Sequence, residues 1–245
     1  MISMLLLFAL LLSFVCSSRQ FKIIRNSVTY LETNTWLLSL GSLNILLDPV
    51  LSAPLDFGIP LLYSGSKVKV DGKQFLKEVS QSIDYVLLSQ GLDDHAHTPT
   101  LKEIRRTLPG MKYIAPSSAL PILQSCGIDS SCVTILRPGE TTVLAKGTSR
   151  AVSITATAGA LLGPPWQQKE NGYVLRPADS AATFPSIYYE PHCNYDTEEV
   201  AALRADYVIT PVVAQELPYF TLVRVSSLSL SLSLFSSLSF PSHTS

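Results

Sequence analysis

The densest run of chemistry-bearing residues is Gln90-Gly91-Leu92-Asp93-Asp94-His95-Ala96-His97, in which two carboxylates and two imidazoles stand close together. Carboxylate oxygen and imidazole nitrogen at short spacing are what a borderline cation such as zinc requires. The same run also reads as a solvated turn between a strand and a helix, with Asp93 or Asp94 capping the helix. A third histidine, His192, follows an apolar run and stands between Pro191 and Cys193. Cys193 beside His192 looks like a thiolate–imidazole neighbourhood. Adjacent residues on a strand point to opposite faces, however, which argues against a catalytic Cys-His pair. On a regular strand Tyr188, Glu190 and His192 would share a face.

The elements around these residues are legible from their patterns. Tyr85 to Ser89, just before the polar cluster, is a short apolar run that reads as a fully buried strand. Thr98 to Leu108, just after it, reads as a helix with Thr98 as N-cap and Leu101 and Ile104 on one face. Upstream, Ser27 to Thr33, Thr35 to Leu40 and Leu43 to Leu47 read as strands of a meander broken at Asn34 and Gly41-Ser42. Leu55 to Tyr63 reads as a surface loop and Asp71 to Ser80 as an amphipathic helix. Tyr113 to Ala115 reads as a strand, and Ser117 to Ser125 as a helix with Pro121 in its first turn. Strands are expected at Val133 to Leu136, Thr141 to Leu144, Ala151 to Ala156, Tyr173 to Leu175 and Ser186 to Tyr189. Thr197 to Leu203 reads as a helix and Tyr207 to Thr210 as a final buried strand. Strands first, then strands mixed with helices, fit an α/β sandwich of large mixed sheets better than a doubly wound sheet. No GxGxxG or phosphate-loop pattern is present.

Both ends differ from the middle. Met4 to Val15 is an apolar run broken only by Ser13, too short to span a bilayer, which takes about 20 residues. With Cys16, Ser17 and Ser18 behind it, residues 1–20 resemble a secretory signal segment, although no basic residue precedes the run. Residues 226–245 are an almost pure Ser/Leu repeat, expected to lie outside the packed domain and to be disordered. Residues 21–225 are then the domain. Charge excludes some partners: 18 basic and 19 acidic residues leave a net charge of −1, far from the basic footprint of a nucleic-acid binder. No large membrane domain is expected. The four cysteines form no CxxC pair; Cys126 and Cys132 read as free thiols, with a short disulfide loop as the alternative in an oxidising compartment.

Segment Tyr85 to His97 resembles the metallo-β-lactamase superfamily signature, in which a buried strand runs into His-x-His-x-Asp-His. Asp94 and His95 match its last two positions, and Gln90 and Leu92 fall where its first two histidines belong. Thr35 to Pro49, ending Leu47-Asp48-Pro49, resembles the family's opening hairpin. Ile154 to Gly159 resembles the strand and loop that deliver the next histidine, yet Ala158-Gly159-Ala160-Leu161 has none. Ile187 to Asn194 resembles the segment whose aspartate bridges two metals, and His192 stands in that place. Ala205 to Val212 resembles a late strand. Gly163 to Trp166 and Glu170 to Tyr173 look like a plant and cyanobacterial metallo-hydrolase/oxidoreductase-like branch. The resemblance implies an αββα sandwich of two mixed sheets, incomplete at its C-terminal end, where the last metal-binding histidine of the family would lie.

The resemblance also implies what the site could hold. Asp94, His95 and His192, with His97 in reserve, would supply the three ligands of a catalytic zinc or another divalent metal, one ion at most or none. Asp94 would be the catalytic carboxylate. Such an ion would bring the pKa of a bound water toward about 7 for attack on an ester, amide, lactone or phosphate-like small molecule. The alternatives are a non-catalytic member that acts as a binding module and a defective product that folds poorly. The apolar N-terminus points to the secretory pathway, the family branch to a plastid. The sequence leaves the oligomeric state open.

Overall fold

The computed structural model describes residues 23, 25–66, 68, 70–145, 151–161, 169–179, 184–192, 197–211, 215–217 and 220–223. The expected signal segment, the Ser/Leu tail, Cys193 and the Gly163 to Trp166 motif lie outside them.

The first sheet holds β1 (Ser27–Tyr30), β2 (Trp36–Leu40), β3 (Leu43–Leu47), β4 (Tyr85–Leu87), β5 (Lys112–Ala115) and β6 (Val133–Ile135), side by side in that order. Its first pairings, β1–β2 and β2–β3, are antiparallel; β3 to β6 run parallel. Each parallel step needs a crossover, and all three crossovers carry helices: α1 (Gly72–Val79) lies between β3 and β4, and α2 (Thr98–Thr107) between β4 and β5. A 3-10 turn (Ser117–Ala119) and α3 (Leu120–Ser125) lead from β5 towards β6. The second sheet runs β11-β10-β9-β8-β7, from β7 (Thr141–Leu144), β8 (Val152–Ala158), β9 (Asn171–Pro177), β10 (Ile187–Tyr189) and β11 (Tyr207–Ile209). It is antiparallel except for the parallel β10–β11 pair. Helix α4 (Thr197–Ala202) joins β10 to β11, and a two-stranded unit follows, β12 (Gln215–Leu217) with β13 (Phe220–Val223).

Alternation on the strands divides the core in two. Leu37, Leu46 and Val86 face Phe75, Leu76, Val79, Leu101, Ile104 and Leu123 of the helices. Their neighbours Leu38, Leu47 and Leu87 face Val152, Ile154, Tyr173, Leu175 and Ile187 of the second sheet. A sheet buried on both faces reads as continuous apolar sequence, which is why β2 and β4 do. The expected sandwich of two mixed sheets is therefore present.

Several expectations change in detail. The Ser117 to Ser125 helix is split, because only Leu120 onward is α-helical and Pro121 lies in its first turn. Helix α2 begins at Thr98, with His97 in the N-cap position and without a side-chain cap bond from it. Asp93 supplies part of that cap, its Oδ1 accepting from the Thr98 N–H at 3.3 Å. Tyr207–Ile209 is neither buried nor final. Among the described residues it is an edge strand paired only with β10, with Tyr207 56% and Val208 45% exposed, and β12 and β13 follow it. Cys126 and Cys132 are free thiols. No described helix is long and apolar enough to cross a membrane.

Candidate functional site

The cluster lies where β3, β4 and β10 end. Gln90 to His97 forms the loop expected between β4 and α2. Asp48 follows β3 immediately, with a positive φ of 43°, a left-handed conformation that aspartate tolerates better than most residues. Its backbone N–H donates to the Leu87 carbonyl at 3.0 Å, which fixes it beside β4.

Four donors meet on the Asp48 carboxylate, which is fully buried. Oδ1 accepts from the Ser89 N–H at 2.7 Å. Oδ2 accepts from the Ser89 hydroxyl at 2.5 Å, the Tyr189 hydroxyl at 2.7 Å and His95 Nδ1–H at 2.8 Å. The other ring nitrogen of His95 is also surrounded. Asn34 Nδ2 and Gln90 Nε2 each lie 3.1 Å from Nε2, and Asp94 Oδ2 lies at 3.3 Å. Asn34 is held in turn by donating to the Asp94 carbonyl at 3.1 Å. The His192 ring stands 5.1 Å from that of His95, centroid to centroid.

The two histidines have opposite charge states. Burial by itself would push His95 down, but the Asp48 carboxylate, helped by Asp94, outweighs burial and raises it to about 10. His192 is lowered to about 4, first by burial and then by the positive His95 beside it. Burial works against Asp94 too, yet its hydrogen bond to His95 and the His95 charge hold its carboxyl below the usual range. At neutral pH the centre is thus a buried Asp48–His95–Asp94 chain, with an imidazolium that donates to Asp48 and is ion-paired with Asp94, and a neutral His192 alongside. Gln90 Oε1 is buried without a hydrogen-bond partner.

Of the residues expected to form a site, the structure brings together Asp94, His95 and His192, from segments far apart in sequence. His97 is put to another use. Thr100 Oγ1 accepts from the backbone N–H groups of Leu51 (2.7 Å) and Ser52 (3.0 Å), so its hydroxyl proton turns to His97 Nδ1 at 2.8 Å. That assigns the His97 proton to Nε2 and makes Thr100 the pin between α2 and the segment after β3, with His97 holding the Thr100 hydroxyl in place. His192 does not extend β10, which ends at Tyr189; it sits in a turn whose N–H donates to Glu190 Oε1 at 3.1 Å.

The sequence reading missed Asp48, Ser89, Asn34 and Tyr189. A signal existed for Asp48: a lone carboxylate closing a buried apolar strand, directly before Pro49. A second polar bridge also escaped it. Ser118 Oγ donates to Glu170 Oε2 at 2.6 Å and accepts from the Gly91 N–H at 3.1 Å. Burial pushes the Glu170 carboxyl up, with Ser118 opposing it.

A divalent metal does not fit these side chains. A histidine ligand offers one ring nitrogen to the metal and donates the other to a carboxylate. His95 keeps the second half of that arrangement through Asp48, but Asn34, Gln90 and Asp94 crowd the nitrogen a metal would take. Gln90 and Leu92, which the resemblance sets where two imidazoles belong, are not metal-ligating types, and Leu92 is 43% exposed. Among the described residues, no group of three or more His, Cys, Asp or Glu is arranged to hold a metal ion.

Comparison with known proteins agrees with the fold. Residues 27–236 match the family model described as beta-lactamase superfamily domain. No curated protein matches. Among solved structures, the isothiocyanate hydrolase from Delia radicum gut bacteria superposes with a TM-score of 0.51 at 16% identity, covering 74% of this chain and 69% of that one. A possible metal-dependent hydrolase from Veillonella parvula gives 0.48 at 16% identity, covering 66% of this chain and 60% of that one. CmlA, a diiron beta-hydroxylase from Streptomyces venezuelae, gives 0.46 at 17% identity, covering 69% of this chain. The chain spans only 30% of the length of CmlA. The family model shows the superfamily, and neither it nor the structural likeness reaches the plant and cyanobacterial branch.

Proposed function

For a chain that belongs to the beta-lactamase superfamily, we propose a non-hydrolytic role: a fold-retaining binding module in which a metal-free polar cluster has replaced the metal centre. One observation carries this reading. The Nε2 atom of His95, the natural point of attachment for a metal, is enclosed by Asn34, Gln90 and Asp94 at 3.1–3.3 Å. The cluster still offers chemistry suited to a small polar molecule. Asp94 Oδ1 and His192 Nε2 are buried and have no hydrogen-bond partner, so a ligand that donates hydrogen bonds would satisfy both.

The competing reading is the hydrolase implied by sequence resemblance, with one ion on Asp94, His95 and His192. It has one point in its favour: the same two unpartnered atoms are both metal-ligating types. Restoring the missing imidazoles separates the two readings. In equilibrium dialysis against zinc, the double substitution Gln90→His with Leu92→His is expected to acquire a tightly held ion that the natural chain lacks. Equal zinc retention by both chains, with zinc-stimulated hydrolysis of ester or lactone probes by the natural chain, would overturn the non-hydrolytic reading.

A further inference from the structure

The loop between β3 and α1 presents an apolar tip to solvent. Phe57, Ile59 and Tyr63 are each about half exposed, Leu62 is 82% exposed and Leu61 98%. Between Phe57 and Ser66 the sequence has no charged residue; Asp56, at the base, is the last before it. Leaving this many large apolar side chains in water on one short loop is unfavourable, and a contiguous exposed patch of this type marks an interaction surface.

The loop is closed on itself. Leu55 and Gly65 exchange both backbone hydrogen bonds, at 2.9 and 2.8 Å. The Ile59 N–H donates to the Asp56 carbonyl, and the N–H groups of Leu62 and Tyr63 both donate to the Ile59 carbonyl. The Gly58 N–H donates to Asp56 Oδ1 at 2.9 Å, and Pro60 has no N–H at all. The rings of Phe57 and Tyr63 pack at 5.7 Å. The Tyr63 ring lies over Gly65, and a Cβ there would come within 2.9 Å of the Tyr63 hydroxyl, the free end of a side chain that would have to shift.

We propose that the loop Leu55 to Gly65 is an interfacial anchor that seats Leu61, Leu62 and the two aromatic rings in the head-group boundary of a phospholipid bilayer. Two features select a bilayer over a protein partner. A segment entering an apolar phase must satisfy its backbone groups internally, and the N–H groups of Leu55, Gly58, Ile59, Leu62, Tyr63 and Gly65 are all bonded within this loop. Aromatic rings with one polar handle, such as Tyr63, suit the interface between head groups and acyl chains. Because the tip is uncharged, the attraction is apolar burial and is weakly dependent on salt. This inference is independent of the state of the polar cluster.

Co-sedimentation of the full chain with phosphatidylcholine vesicles tests it, with a vesicle-free spin as control for self-association. The chain is expected to pellet with vesicles to a similar extent at low and high salt. Leu61→Asp with Leu62→Asp is expected to release it into the supernatant with an unchanged melting temperature, since both side chains are in solvent. A Leu61→Trp variant adds a second readout: its extra fluorescence should shift to the blue on vesicle addition. Absence of pelleting, or equal pelleting of the Asp variant, overturns the proposal and in the latter case assigns binding elsewhere in the chain. Self-association that the Asp substitutions abolish, without vesicle binding, also overturns it and identifies the loop as a contact between copies.

Discussion

Four hydrogen bonds converge on the Asp48 carboxylate, and the Asp48–His95 pair is inaccessible to water. Removing one partner of a buried ion pair leaves the other charge uncompensated, which costs about 3–5 kcal/mol. Asp48→Asn is therefore expected to lower stability by that amount in chemical unfolding, and a loss well under 1 kcal/mol would contradict the assigned network. The pH dependence follows from the two histidines. His95 holds its proton up to about pH 10 in the fold, against 6.5 ordinarily, so its stabilisation is complete below 6.5 and is lost as the pH rises towards 10. His192 is displaced the other way, to about 4, so its neutral form contributes above 6.5 and is lost as the pH falls towards 4. Depression of Asp94 adds to the acid side. The melting temperature should peak near pH 6.5 and fall on both sides. Proton NMR of the rings is the direct check: His95 unchanged through pH 8, His192 titrating near 4. A His95 ring that titrates near 6.5 would refute the charged chain.

At the scale of elements, the loop after β4 is held by contacts that leave no room for change. A Cβ on Gly91 would lie 2.3 Å from the Ser118 carbonyl oxygen, which is backbone and cannot swing away. Gly91→Ala is expected to destabilise by about 1–3 kcal/mol through overpacking, measured by urea unfolding, and a neutral effect would mean that the loop does not rest on the Ser117–Ala119 turn. Thr100→Val keeps the shape of the side chain but removes the oxygen that accepts from Leu51 and Ser52 and the hydroxyl that donates to His97. Each buried group left unpaired costs about 1–3 kcal/mol, so this substitution should be among the more damaging on α2.

The same contacts show what the sequence could reveal. β4, its loop and α2 were legible because a buried strand and an amphipathic helix leave period patterns, and the turn between them is polar. The partners of Asp48 were not, because they are long-range: His95 is 47 positions away and Tyr189 is 141. No local pattern marks a tyrosine at the end of β10 as the hydroxyl that completes a carboxylate on β3. The burial of β11 was misjudged for a related reason, since an apolar run looks the same in the middle of a sheet and at its edge.

Over the whole molecule, two apolar layers set the site. One lies between helices and the first sheet, the other between the sheets, and the second is closed at the site end by polar bridges. Tyr173 donates to the Leu88 carbonyl at 2.7 Å, and Asn171 N–H donates to the Ser89 carbonyl at 3.0 Å. These bridges join β9 to the strand that carries the cluster, so protein hydrogen bonds frame the site, and the proposed role needs no ion in it. Metal analysis of the full chain, purified from zinc-supplemented cells without chelator, tests this most directly. The account predicts zinc well below one ion per chain and a melting temperature that excess zinc leaves unchanged. One tightly held ion per chain, lost on Asp94→Asn or His192→Gln, would contradict it.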